Sequence, residues 1–555
     1  MHSQLKFLPV LTALLFAVSL SGCGEKSVTA PAATSKLEES QACIGCHGGI
    51  TSTAKSSGKV TADSYGNEWL RSGHNTKNGA SCKDCHEPHT NHPDPGNCNL
   101  CHGNYPASGS SAIKNPDIAG KCAKCHTVKG GFSISSFNGI LKNSQSVHFN
   151  NQTGAGYPAS FVTSTTTGSC RTCHNPHDTA TNIATLRAWS RSGHGDTTAA
   201  PWTTYDFKSR SGDCNRCHTT TGFLKYITDN NDSAAWGIAS DKTKEVLMCS
   251  ACHLNYSYAV RTTGPVTANY AGGVSIYPDA GTSNLCLNCH VGRTSGATIM
   301  NVQRNYTSAA FVNSHYLTAG GTLFGKIGYE FTGREYTDPS FYAHRFIGTA
   351  DSRGNAAVAA GSGPCVGCHM ANKTQPGEKH TFKPYIVSGI KLSPTCETAA
   401  CHGSTSSTPT PRDQDWLKNT WQLQYQDALA ALKYILANNS YRKLFFITSN
   451  PYFTNKKWHS VGGAVSDITV SGMNNMGAAF NYNLLIHDKG GVAHNRYYTR
   501  RLLYDSIDWL DDNLMNNSVG NTLNSLPGSG DTAFKANAIT YLINPDTTVN
   551  GTERY

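Results

Sequence analysis

Apolar positions are spread unevenly along this chain. From Phe7 to Leu20 they run together, behind the basic start Met1-His-Ser-Gln-Leu-Lys6 and ahead of the small residues Ser21-Gly22-Cys23. A basic start, a short apolar core and small residues at its end form a secretory signal. The stretch is too short to span a bilayer comfortably. Residues 24–40 are rich in Ala, Ser, Thr and Lys without hydrophobic periodicity, which predicts a flexible tether. Periodicity is clearest near the C-terminus. Leu417, Trp421, Tyr425, Ala428, Leu432 and Ile435 repeat at three or four positions and predict an amphipathic helix. Asp413 or Asp415 is placed to cap its start and Asn438-Asn439 to end it. A second such helix is predicted from about Asn495 to Leu514, with Leu503, Ile507, Leu510 and Leu514 on one side.

Composition changes what the intervening residues can be. Only 38% of the 555 residues are apolar, and Gly, Ser, Thr and Asn are abundant. Length suggests several domains, yet this composition under-provides a large protein core. The cysteines point to another source of apolar surface. Twenty of the 21 fall into nine copies of Cys-x-x-Cys-His and one Cys-x-x-x-x-Cys-His. The pairs are Cys43/Cys46, Cys82/Cys85, Cys98/Cys101, Cys122/Cys125, Cys170/Cys173, Cys214/Cys217, Cys249/Cys252, Cys286/Cys289, Cys365/Cys368 and Cys396/Cys401. The histidines that follow are His47, His86, His102, His126, His174, His218, His253, His290, His369 and His402.

Three other uses of paired cysteines fit less well. Disulfides need no histidine after every second cysteine. A histidine directly after the second cysteine is poorly placed as a tetrahedral zinc ligand. Thioredoxin-like motifs come singly beside a βαβ pattern that is absent here. The spacing is that of haem c attachment: two thiols add to the vinyl groups of a haem and the adjacent histidine reaches the iron. Ten covalently held porphyrins would supply the missing apolar surface. The predicted fold is therefore mostly loop with short α-helices around a haem array, little β structure, and a helical C-terminal cap.

The formal charge of +10 at first suggests a nucleic-acid partner. Each haem, however, carries two propionates against one positive charge on its ferric unit, which offsets the excess. The basic residues are also scattered rather than clustered, so no nucleic-acid footprint remains.

The twenty-first cysteine has its own setting. Leu20-Ser21-Gly22-Cys23 resembles the bacterial lipobox, in which the cysteine becomes the lipidated first residue. Acylation would anchor the chain without a spanning helix. Gly24, where an aspartate would signal inner-membrane retention, favours the outer membrane. The organisation read from these features is a signal over 1–22, an anchor and tether over 23–40, a decahaem region over 41–402, a linker over 403–411, and a helical region over 412–555 without cysteine.

What such haems can do depends on the far side of each iron, because an open position is needed to bind a substrate there. Outside the signal and the motifs stand twelve histidines. Trp69-Leu-Arg-Ser-Gly-His74 recurs as Trp189-Ser-Arg-Ser-Gly-His194, and Cys85-His86-Glu-Pro-His89 as Cys173-His174-Asn-Pro-His177. Both repeats resemble distal-ligand motifs of multihaem cytochromes. His148, His315, His344 and His380 lie in gaps between motifs, and His459 follows Trp458 in an apolar context. His92 falls in a polar turn, where exposure is expected.

The segment Phe480-Asn-Tyr-Asn-Leu-Leu-Ile-His487-Asp-Lys-Gly-Gly-Val-Ala-His494-Asn-Arg-Tyr-Tyr, followed by Leu503-Tyr-Asp-Ser-Ile-Asp-Trp-Leu510, adds a resemblance. With the lipobox and the ten motifs, it resembles outer-membrane and extracellular decahaem c-type cytochrome lipoproteins of metal-reducing bacteria. The resemblance implies that His494 is a distal ligand and that His487 is a surface residue. It also implies delivery of electrons to metal oxides, soluble acceptors or other c-type cytochromes, with an outer-membrane porin as a further partner. Ten histidines then remain for ten irons: His74, His89, His148, His177, His194, His315, His344, His380, His459 and His494.

Two alternatives stay open from sequence. A multihaem reductase acting on nitrite, hydroxylamine or a sulfur oxyanion would need one open haem. A cytochrome filament would need haems meeting across subunits. No Cys-x-x-Cys-Lys occurs, and the histidine supply matches the demand, which favours a conduit without catalytic residues.

Overall fold

The computed structural model describes residues 36–47, parts of 69–82 and 185–254, 259–337, parts of 344–402, 417–440, 443–454, 458–459, 467–546 and 552–555. Helices dominate the described residues. In the motif-bearing part they are short: α1 (Lys36–His47), α2 (Ala200–Thr204), α3 (Asn215–His218), α4 (Thr220–Thr228), α5 (Cys249–Cys252), α6 (Asn284–His290), α7 (Gly296–Asn301), α8 (Ala319–Leu323) and α9 (Gly363–His369). Among the described residues, strands are limited to two antiparallel pairs. β1 (Thr267–Tyr270) lies against β2 (Gly273–Ile276), and β3 (Tyr385–Ile386) against β4 (Lys391–Leu392). The short helices and scarce strand agree with the expectation, whereas the expected excess of loop is not seen, helix being the main element among the described residues.

Five of these helices coincide with Cys-x-x-Cys-His motifs. One helical turn places positions i and i+3 on the same face, so both thiols can address one haem edge. α1 starts at Lys36, inside the tether expected to run to residue 40. Glu38 and Glu39 in its first turn favour that earlier start by complementing the helix dipole.

The C-terminal part carries longer helices: α10 (Leu423–Asn438), α11 (Ile468–His487), α12 (Gly491–Asp512), α13 (Val519–Ser525) and α14 (Lys535–Leu542). α10 matches the first predicted helix. Tyr425, Ala428, Leu432 and Ile435 are buried, and Asn439 leaves the helix as its C-cap. A π-helical turn over Leu417–Gln422 precedes it. The proposed caps Asp413 and Asp415, and the linker 403–411, lie outside the described residues.

α12 differs from expectation at both ends. It begins at Gly491, and Asn495 breaks it locally with φ −160° and ψ 89°. It stops at Asp512 because Asn513 turns left-handed, with φ 65°. Leu514 is consequently exposed rather than on the buried face. α11 has no counterpart among the helices predicted from the sequence. It is buried over most of its length, from Ser471 to Leu485, so no polar face alternates with an apolar one.

One large core joins these helices to the motif-bearing part. Ile299, Tyr306, Ile327, Tyr329 and Phe331 pack with Tyr425, Leu432, Phe480, Leu502 and Trp509. Asn481 reads the backbone of Tyr329 at both polar groups: its Oδ1 accepts from the N–H at 2.8 Å and its Nδ2 donates to the carbonyl at 2.9 Å. Among the described residues, two buried carboxylates meet arginines. Arg554 grips Asp505 through two contacts at 2.7 and 2.6 Å, and Arg334 meets Asp508 at 2.6 Å. Such pairs rank as specifiers of register more than as sources of net stability.

Close approach in this core depends on glycine. A Cβ on Gly477 would overlap the Tyr329 ring, and one on Gly472 would press on Tyr306. Gly477→Leu is expected to destabilise the holoprotein by about 1–3 kcal/mol, the usual cost of overpacking. The check is the denaturant midpoint by far-UV circular dichroism, and an unchanged midpoint would mean that α11 is not clamped against Tyr329.

Candidate functional site

The motif histidines whose side chains are described are each brought to a second histidine. His290 lies 6.3 Å from His194, measured between ring centres, with the planes at 82°. His218 lies 6.2 Å from His315 at 76°. His253 lies 6.1 Å from His380 at 35°. His402 lies 5.8 Å from His344 at 84°. His369 lies 6.3 Å from His494 at 29°. Every second member is one of the histidines singled out above as a distal ligand.

These separations have a simple meaning. An imidazole nitrogen binds a transition metal at roughly 2.0–2.1 Å and the ring centre lies about 1.1 Å behind it, so rings on opposite sides of one metal ion stand about 6 Å apart. The pairs fit that requirement, and a cysteine pair precedes each motif histidine. Residues and spacing therefore fit a covalently held haem with two axial imidazoles.

Local structure explains how the rings are aimed. Ser192 Oγ donates to the Trp189 carbonyl at 2.7 Å while its N–H reaches the same oxygen at 2.9 Å, and Trp189 is buried. Ser72 makes the same two contacts with Trp69, at 2.7 and 3.0 Å. The repeated Trp-x-x-Ser sequence thus forms the same turn twice, and His194 follows one copy directly. In α12 the break at Asn495 serves as an internal cap. Its Oδ1 accepts from the Tyr498 N–H at 2.9 Å and its Nδ2 donates to the Leu323 carbonyl at 3.2 Å. His494 stands just before that break, with its Nδ1 2.7 Å from Asp488 Oδ1.

Sequence reasoning missed Phe382. Its carbonyl lies 2.8 Å from His369 Nδ1, and its ring meets His194 edge-on at 4.5 Å and His380 at 6.0 Å. It takes φ 55° to do so. Its only signal in the sequence was its place two residues after His380.

The pairs also adjoin one another. The Cys286 and Cys365 sulfurs are close neighbours, as are those of Cys289 and Cys217, and each neighbour together with burial pushes the Cys286 and Cys289 thiols well above their ordinary value. Hydroxyls fix this meeting: Thr282 Oγ1 and Ser283 Oγ donate to the Ser362 carbonyl at 2.9 and 2.8 Å, and Ser283 Oγ accepts from the Val366 N–H at 3.0 Å. His344 Nδ1 lies 2.5 Å from the Ala493 carbonyl, beside His494.

Not every expected residue can be placed. His459 is described, but no motif histidine among the described residues is paired with it, and its buried Nδ1 has no hydrogen-bond partner. Cys82 is held through its N–H by Ser40 Oγ of α1 at 2.9 Å. Three whole motifs lie outside the described residues: Cys98, Cys101 and His102; Cys122, Cys125 and His126; and Cys170, Cys173 and His174. Their expected haem attachment therefore rests on the sequence motif alone. Cys23, Cys85, Cys401, His74, His86, His89, His92, His148 and His177 lie outside as well, as do the side chains of Cys43, Cys46 and His47. His487, expected at the surface, is half-buried against Tyr316 at 4.6 Å, with Nδ1 2.7 Å from the Asn483 carbonyl. It is the last residue of the buried α11, which carries it inward.

Burial holds the rings in the form that binds metal. It lowers His290 to about 3, with neighbouring His194 adding to the effect. It lowers His194, His218, His315 and His380 to about 4. His494 differs: burial acts to lower it, but the Asp488 carboxylate outweighs burial and holds it above its ordinary value.

Comparison with known proteins places this arrangement in a class, the multihaem c-type cytochromes. Residues 93–262 match the family described as outer membrane cytochrome MtrC/MtrF-like, domains II/IV. The chain is 32% identical over 514 residues to the C-type polyheme cytochrome OmcB of Geobacter sulfurreducens, in two strains, covering 76% of this chain and 66% of the relative. It is 35% identical over 379 residues to the C-type polyheme cytochrome OmcC of the same species, covering 59% of this chain and 47% of the relative. The chain therefore spans just under two thirds of the length of OmcB. No solved structure matches it. The chain is a homologue of these polyhaem cytochromes, and that homology implies covalently bound haem c.

The ring environments give a pH dependence. An unfolded chain protonates each of these histidines near 6.5, whereas folded His290 and His194 stay neutral down to about 3 and 4. In the haem-free chain the unfolded state binds more protons in that window, so these two rings make stability fall as pH drops from about 6.5 to about 4. Denaturant midpoints across that range check this, and a midpoint that rose on acidification would contradict it.

Proposed function

We propose that the chain is a decahaem outer-membrane lipoprotein that conducts electrons through bis-histidine haems to extracellular acceptors, either metal oxides or partner cytochromes. The observation that carries the reading is the set of five histidine pairs with ring centres 5.8 to 6.3 Å apart. Bound haem supplies a one-electron ferric/ferrous couple. The cysteine pairs tether it, the motif histidines bind one face of each iron, and the second histidines close the other.

By this reading His194, His315, His344, His380 and His494 are distal ligands. His74, His89, His148, His177 and His459 are then left for the motifs at His47, His86, His102, His126 and His174. The closed second face argues against a substrate-binding reductase site at any of the five paired motifs.

Neighbouring pairs support a continuous route. The Cys217–Cys289 and Cys286–Cys365 contacts would bring one haem edge against two others, and the His344–Ala493 contact adds a fourth pair. Cys23 is the lipid attachment site in this reading, after a signal over 1–22. The region 412–555 acts as a cap that donates ligands. Homology to outer-membrane cytochromes supports an outer-membrane or extracellular location, and a porin is the proposed membrane partner.

Two measurements test these statements. Near-parallel imidazole planes overlap the same iron orbital and give a rhombic low-spin resonance, while near-perpendicular planes give a strongly anisotropic one. The oxidised holoprotein, carrying ten haems by mass, is expected to show both kinds and no stoichiometric high-spin signal. His369–His494 and His253–His380 would be rhombic, and the other three pairs anisotropic. Cyanide or nitrite binding at one haem in ten would overturn the conduit reading. Cys23→Ala is expected to release the protein from membranes, and retention in the membrane fraction would refute lipidation there.

A further inference from the structure

The ring nitrogens facing away from the metal positions do not all have the same kind of partner. His369 Nδ1 lies 2.8 Å from the Phe382 carbonyl and His344 Nδ1 2.5 Å from the Ala493 carbonyl, both neutral acceptors. His494 Nδ1 lies 2.7 Å from a carboxylate oxygen of Asp488. That carboxylate is 4% exposed, and its second oxygen, also buried, has no hydrogen-bond partner. Its charge is therefore neither shared with another donor nor screened by water, and His494 receives it in a medium where electrostatic effects are large.

The turn between α11 and α12 is built to hold this contact. Tyr425 Oη shares its one proton between the Leu485 carbonyl at 2.8 Å and the Asp488 carbonyl at 3.1 Å. The Gly491 N–H reaches the Asp488 carbonyl at 2.9 Å. Gly490 leaves room for the ring, since a Cβ there would come within 2.8 Å of His494 Cε1.

A carboxylate accepting the outer N–H of an axial imidazole makes that imidazole a stronger donor to the metal. It stabilises the more positive, oxidised state and lowers the reduction potential. Arg293 acts with the opposite sign elsewhere. Its charge bears on both His218 and His315, and its N–H donates to the Ser314 carbonyl at 3.0 Å, one residue before His315. The sulfur contacts put the Cys286/Cys289 pair between these two sites.

We propose that Asp488 is a positioning residue that makes the haem held by Cys365 and Cys368 the lowest in potential of these three neighbours. It rests on the reading that His369 and His494 share one iron. Asp488 takes part in no bond change and gives up no proton. It biases where an electron resides, so electrons entering at that haem run downhill through the Cys286/Cys289 haem towards the His218–His315 haem.

The test is a redox titration of the full-length holoprotein followed by visible absorption and paramagnetic resonance. In Asp488→Asn the midpoint of the rhombic low-spin signal that His494→Met alters is expected to move upward while haem content stays at the wild-type value. Asp488→Glu, which keeps the charge, should restore most of the low value. Arg293→Gln should leave that midpoint in place. Tyr425→Phe loosens the turn without removing the carboxylate and should give a smaller upward shift, which keeps the idea testable if Asp488→Asn loses haem. An unmoved midpoint for that signal in Asp488→Asn, or an equal shift of every haem, would overturn the proposal. His494→Met separates this from the underlying reading: if its low-spin spectrum equals wild type, His494 is not a ligand at all.

Discussion

Two imidazoles on opposite sides of one metal must stand about 6 Å apart. That distance is the constraint around which the described part of this chain is arranged. The five motif histidines come from short helices or turns that have little hold on their own position. Their counterparts come from segments far away in sequence: His194 for His290, His315 for His218, His344 for His402, His380 for His253 and His494 for His369. Each pair therefore ties together two stretches of backbone that have no regular secondary structure in common. In the proposed reading the haem completes the tie, and the porphyrins supply the apolar core that composition alone does not.

The C-terminal helices supply rigidity where haem does not. Their core extends into the motif-bearing part through Ile299, Tyr306, Ile327, Tyr329 and Phe331. Asn481 and the glycine-lined face of α11 fix Tyr329 closely, and the turn after α11 presents Asp488 and then His494. In the proposed reading, a cap that donates a ligand and also a charge to that ligand has a part in setting potential as well as in excluding solvent. Phe382 has a similar double role, because its carbonyl orients His369 while its ring packs on His194.

Much of the candidate site was legible from local pattern. The motifs name their own cysteines and histidines, and the recurrence of Trp-x-x-Ser-Gly-His marked His194 before its turn was visible. α10 was legible because its apolar residues keep one face. α11 was not, because a helix buried all round carries no amphipathic signal. The inward position of His487 and the role of Phe382 were hidden for a related reason: both depend on neighbours distant in sequence.

The sequence by itself determined the chemistry of the site, since haem c attachment is a short covalent motif that needs no long-range information. It also supplied the pool of histidines that the proposed reading sets against those irons. Only the tertiary structure decided which histidine meets which, because ring-to-ring distance is set by packing between remote segments. The charge that each ring feels was decided the same way. Asp488 and His494 are six residues apart and neither identity announces the contact. A broken helix, a buried turn and a tyrosine from α10 bring them to 2.7 Å.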